Sequence, residues 1–109
     1  MKIINLTEFR AMPEGTVFCK YQPCCFGELE IKGETWEHDF ICASLTGVIE
    51  SEGSDDMMNK LDQYEKSKES FKLDLEYYGR DGLYEDNQLY AIYEKSDIQQ
   101  LVNKLTELI

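Results

Sequence analysis

The apolar residues of this chain fall in short period-two runs cut off by turn residues, a pattern that confines it to a fold built from brief strands. Thr16-Val17-Phe18-Cys19-Lys20-Tyr21 is rich in β-formers and ends before Pro23. Glu28-Leu29-Glu30-Ile31-Lys32 alternates, and Phe71-Lys72-Leu73-Asp74-Leu75-Glu76-Tyr77 alternates most cleanly of all, which predicts a strand with Phe71, Leu73, Leu75 and Tyr77 facing the core. Lys32-Gly33-Glu34 predicts a hairpin turn into a strand over residues 35–43. There Trp36, His38, Phe40 and Cys42 share the inward face and Glu37, Asp39 and Ile41 the outward one. A loop at Gly79-Arg80-Asp81-Gly82 precedes Leu83-Tyr84, and residues 88–94 form a last, aromatic-rich strand.

Three segments have helical spacing instead. Leu6, Phe9 and Met12 lie three apart behind Asn5 or Thr7 as a cap and stop before Pro13. The acidic run Glu50-Ser51-Glu52-Gly53-Ser54-Asp55-Asp56 leads into a helix with Met57, Met58, Leu61 and Tyr64 as its stripe, where acids suit the positive end of the dipole. Ser96 caps a final helix whose buried stripe is Ile98, Leu101, Val102, Leu105 and Leu108. The order α-β-β-β-α-β-β-α, with no repeat or linker, predicts one α+β domain over residues 1–109. Its sheet is mostly antiparallel, of about five strands, small enough to curl into a barrel, with three helices against it.

Charge narrows the function. Twenty-two Asp and Glu against eleven Lys and Arg leave a net −11 on 109 residues, while a hydrophobic fraction of 42% is that of a folded body. Such a surface repels nucleic acid and anionic membranes and favours a basic partner. No stretch reaches the ~20 apolar residues of a membrane span, and the first residues lack a signal-peptide pattern, so the expected location is the cytoplasm. There Cys19, Cys24, Cys25 and Cys42 stay thiols.

Several residue clusters have the chemistry of a site without its spacing. Cys19, Cys24, Cys25, His38 and Cys42 supply zinc-type ligands, but without paired Cys-x2-Cys knuckles, so packing of free cysteines is the expected role and no metal or other cofactor is expected. A Cys–His nucleophile lacks an oxyanion turn and an orienting third residue, so no catalytic residue is assigned and the chain is expected not to be an enzyme. Asp81-Gly82 and Glu85-Asp86-Asn87 share a calcium loop's composition but not its order, and no glycine-rich segment is followed by Lys-Ser or Lys-Thr to cradle a phosphate. A nucleotide pocket built on Arg80 and Tyr77, with Lys20 and Lys32 as further cations, stays open as the alternative. The expected partner surface joins acids to outward tyrosines: Glu50, Glu52, Asp55, Asp56, Tyr78, Tyr84, Glu85, Asp86 and Tyr90.

The opening residues from Met1-Lys2-Ile3-Ile4 through Thr16-Val17-Phe18, together with Phe26-Gly27-Glu28-Leu29, Ile31-Lys32-Gly33-Glu34-Thr35, Gly79-Arg80-Asp81-Gly82 and Asp86-Asn87-Gln88-Leu89-Tyr90-Ala91, resemble a family of small acidic proteins encoded by tailed phages and prophages. The resemblance implies a context and no functional residues. In that context the expected function is a non-enzymatic inhibitor of a host defence system or of a host nucleic-acid-binding protein, acting in the host cytoplasm by mimicking nucleic-acid charge. The alternatives are sequestration of a small nucleotide signal, or an immunity or antitoxin protein against a basic toxin, and a homodimer is compatible with each.

Overall fold

The computed structural model describes every residue except Val48, Leu83 and Tyr84. Its elements are β1 (Lys2–Asn5), α1 (Leu6–Arg10), β2 (Val17–Gln22), β3 (Cys25–Phe26), β4 (Glu30–Trp36), β5 (Asp39–Ser44), α2 (Ser54–Ser67), β6 (Gly79–Arg80), β7 (Leu89–Tyr93) and α3 (Lys95–Glu107). All pairings are antiparallel, in the order β1-β7-β2-β4-β5-β6, with β3 on β2. The fold is α+β as the sequence predicts, with three helices and a seven-stranded sheet among the described residues. Among the described residues the sheet is not closed into a barrel, because β1 and β6 end the strand order without pairing to each other.

Local chemistry sets the first turn of the fold. Asn5 Oδ1 accepts the Glu8 N–H at 2.9 Å and Glu8 Oε1 accepts the Asn5 N–H at 3.2 Å, a reciprocal cap that converts β1 directly into α1. The helix is short, yet it delivers Leu6 and Phe9 onto the sheet. Phe9 is fully buried, stacked on Tyr90 at 4.1 Å with 6° between the rings, and it meets Phe18 at 4.6 Å and Phe40 at 4.9 Å. Ile4, Leu6 and Ile92 complete this core. Across β2, β3 and β4 share one side. The chain passes between them at Gly27, whose N–H donates to the Lys20 carbonyl at 2.8 Å. A Cβ at Gly27 would stand 3.0 Å from that oxygen, so only glycine fits without a shift.

The expected hairpin at Lys32-Gly33-Glu34 is not a turn. Strand β4 runs through it to Trp36, with a register shift between Lys32 and Thr35, and the reversal comes at Glu37 and His38, where Glu37 takes a φ of 46°. That displacement moves the faces. Trp36 and His38 are exposed, and Asp39, expected outward, is buried. The cysteines also divide: Cys19 is buried and Cys42 half-buried, whereas Cys24 and Cys25 are exposed beside the β2–β3 turn and do not pack as expected.

The segment expected to be the clearest strand, residues 71–77, is not one. Phe71, Leu73, Leu75 and Tyr77 are all between 41% and 48% exposed. The cause is topological. Edge strand β6 pairs Arg80 with Ile41 and Gly79 with Cys42, and that register continued would set Tyr77 opposite Ser44, the last residue of β5. Residues 71–76 therefore run past the end of the sheet, with no strand beside them among the described residues.

The last helix departs similarly. Its N-cap is Glu94 rather than Ser96, with Asp97 Oδ2 accepting the Glu94 N–H at 2.8 Å, and the expected buried stripe is covered only in part: Ile98 and Leu101 are half-buried, whereas Val102, Leu105 and Leu108 are 50%, 61% and 74% exposed. Leu105→Ala should then change stability by less than about 0.5 kcal/mol, as at other exposed sites, instead of the several kcal/mol of a core leucine. A urea titration showing a loss above about 2 kcal/mol would place that side chain in the core after all.

Candidate partner-binding surface

The acidic run before α2 is held in place by its own backbone chemistry. Gly53 is the N-cap and makes no side-chain cap bond; Asp55 and Asp56 follow in the first turn, where the helix dipole favours them. Asp56 Oδ2 accepts the Glu52 N–H at 2.9 Å and pairs with Lys60 Nζ at 3.2 Å, while Lys60 Nζ also donates to the Glu50 carbonyl at 3.0 Å. The Glu52 N–H and Lys60 hold the Asp56 carboxyl below the usual range. Asp56 is thus a structural acid that pins the loop, and it leaves Glu50, Glu52 and Asp55 exposed on one shoulder of the molecule.

Beside this shoulder runs a groove of about 410 Å³ lined by Glu50, Lys72, Leu73, Asp74, Leu75 and Glu76. Asp74 and Glu76 therefore join the acidic site, and Leu73 and Leu75 supply apolar contact area within it. The sequence carried a signal for this in the alternation of residues 71–77, but alternation alone placed the apolar half in the core. Phe71, at the start of the segment, stacks on Tyr64 of α2 at 4.8 Å, which fixes the segment against the helix.

The remaining expected surface residues scatter. Tyr78 is exposed and lines a second groove with Glu14, Lys32 and Ile41. Glu85 and Asp86 are exposed on a separate turn, closed by the Gln88 N–H to the Glu85 carbonyl at 3.2 Å. Tyr84 lies outside the described residues. Tyr90, expected outward, is 1% exposed beneath Phe9, because its β7 position faces α1.

The three cations proposed for an anion pocket are each engaged inside the protein. Arg80 Nε meets Asp39 Oδ2 at 2.9 Å, and Lys20 Nζ meets Asp81 Oδ1 at 2.5 Å. Lys32 is 2% exposed, donating to Thr35 Oγ1 at 2.6 Å and lying 5.9 Å from the centre of the Phe9 ring, and burial lowers its pKa. Tyr77, the aromatic of that proposed pocket, is exposed on the overhanging segment.

Two thiols, Cys19 and Cys42, are made less acidic by their surroundings. Burial, followed by the charge of Glu30, pushes the Cys42 thiol up to about 12, and burial raises Cys19 as well, whereas a nucleophilic cysteine needs its thiolate near neutral pH. Burial also raises Glu30, offset in part by the Cys42 thiol and Lys20. Among the described residues no group of three or more His, Cys, Asp or Glu is placed to hold a metal ion, and no helix is long and apolar enough to cross a membrane. Comparison with protein-family models, curated proteins and solved structures gives no match to this chain.

Proposed function

We propose that this protein is a non-enzymatic, phage-type inhibitor that docks its acidic shoulder on a basic host protein, one that itself binds nucleic acid. The observation that carries this reading is the exposure of Glu50, Glu52 and Asp55 together, on a chain with net charge −11 whose Lys20, Lys60 and Arg80 are paired with its own acids. Carboxylates so displayed compete for arginines and lysines that otherwise hold phosphates. Apolar Leu73 and Leu75 beside them add contact that is insensitive to salt. The resemblance to phage-encoded acidic proteins points the same way.

The test is kinetic. A pull-down from host lysate identifies the partner, and its association rate should then fall steeply between about 0.1 and 1 M salt, as the screening length drops from about 10 Å to about 3 Å. Reversing Glu50, Glu52 and Asp55 together to lysine should slow association at low salt by roughly tenfold or more with little change in melting temperature. Asp56 is left in place because it holds the loop. A triple reversal that leaves both the rate and its salt dependence unchanged would refute the reading.

A further inference from the structure

Residues 71–77 combine two properties that seldom coexist: a strand-forming sequence and an unpaired backbone. Among the described residues, no backbone–backbone hydrogen bond reaches them, and the Glu76 N–H alone finds a partner, donating to Asp74 Oδ1 at 2.9 Å. Such a segment, next to the sheet's edge strand β6, is a template for another strand.

We propose that the occupant is the same segment of a second copy of this chain, paired antiparallel about a twofold axis through Asp74. Phe71-Lys72-Leu73-Asp74-Leu75-Glu76-Tyr77 has the same pattern read in either direction except that Lys72 and Glu76, each second from an end, carry opposite charge. Antiparallel pairing centred on Asp74 sets Phe71 against Tyr77 and Leu73 against Leu75 on one face, each twice. On the other face it sets Lys72 against Glu76, also twice. Opposite charges and aromatic pairs directly across a ladder are the favourable contacts of antiparallel sheets, and an isologous interface requires this self-complementarity.

The backbone agrees with that register. If Asp74 meets its copy as a non-hydrogen-bonded pair, the odd-numbered residues exchange the ladder bonds, and the Glu76 N–H turns outward, where Asp74 Oδ1 already accepts it. Two terms oppose the dimer: Asp74 faces Asp74 on the axis, and two chains of net −11 repel. The interface is also short. The result is a weak dimer that salt strengthens by screening, the opposite sign from binding to a basic partner.

Sedimentation equilibrium of the full chain, from about 1 to about 500 µM, tests this, since a small interface of this kind associates in the micromolar range or weaker. The wild type should show a monomer–dimer equilibrium that shifts toward dimer with salt. K72E should weaken it at least tenfold, and E76K should do so even though it reduces net charge. K72E/E76K should restore it, an equimolar mixture of K72E and E76K should form the heterodimer, and D74N should tighten it. Each variant is checked for an unchanged cooperative melt. A monomer at every concentration overturns the proposal, as does a dimer that survives K72E but is lost on Leu105→Glu, since that would put the interface on α3. Loss in K72E without recovery in the double variant also overturns it. Leu73, Asp74, Leu75 and Glu76 belong to both surfaces, so a second copy and a basic partner compete for them. Sedimentation involves no partner and the docking test reverses only Glu50, Glu52 and Asp55, so the failure of either reading is seen in its own experiment.

Discussion

Replacing Phe9 with alanine should cost about 3–5 kcal/mol, enough to leave a domain of ordinary stability largely unfolded at physiological temperature. Phe9 is the larger of the two core residues supplied by α1, and its ring is the hub at which Tyr90, Phe18 and Phe40 converge. Removing it opens a cavity between helix and sheet that three rigid aromatic rings cannot collapse to fill, and it also strips Lys32 of the ring beneath its ammonium group. Phe9→Leu should recover more than half of the loss by restoring most of the volume. Urea titrations of both variants decide the matter. A loss of under about 1 kcal/mol for Phe9→Ala would mean that α1 does not close the core.

Asp39→Ala should cost roughly 3 kcal/mol at neutral pH, and its effect should fade in acid. The carboxylate is buried at the β4–β5 turn, where Oδ1 accepts the Phe40 N–H at 2.8 Å and the Gly82 N–H at 3.2 Å and Oδ2 accepts Arg80 Nε at 2.9 Å, so one side chain ties β6 and the loop after it to β5. Burial alone would raise its pKa, but Arg80 and the two N–H groups outweigh burial and hold it below the usual carboxylate range. A carboxyl depressed in the folded state adds stability that is present in full above the unfolded value, near 4, and is lost as pH falls through the lower folded value. The wild type should therefore lose stability below about pH 4 faster than Asp39→Ala, and the two curves should converge. Parallel curves across that range would show that Asp39 is not the titrating group. The half-exposed Arg80, left behind in the variant, can reach water, which keeps the cost below that of a fully buried pair.

Much of what depended on a few neighbouring residues was legible in the sequence, although the turn read at Lys32-Gly33-Glu34 and the cap read at Ser96 were misplaced. The cap at Asn5, the stop before Pro13, strand β2, the α2 helix after its acidic lead and the strand at β7 all follow from chemistry that acts within a turn or two, and together they were enough for the α+β class. The strands of two to four residues, β1, β3 and β6, were invisible because so short a run has no periodicity to detect.

What only the tertiary structure decided is which face of each element is covered. Residues 71–77 and the outer half of the α3 stripe, Val102, Leu105 and Leu108, have the apolar spacing of buried elements and remain open, while Tyr90 and Asp39, read as outward, are enclosed. Spacing fixes which side chains share a face, but burial requires a second surface, and that surface comes from residues far away in sequence: β5 ends at Ser44 before it can pair with Glu76, and α1 reaches back over Tyr90. The exposed acids of the shoulder follow the same rule, for a charged residue is readable from sequence as hydrophilic, and only the contacts with Lys60 and the Glu52 N–H separate structural Asp56 from the exposed Glu50, Glu52 and Asp55.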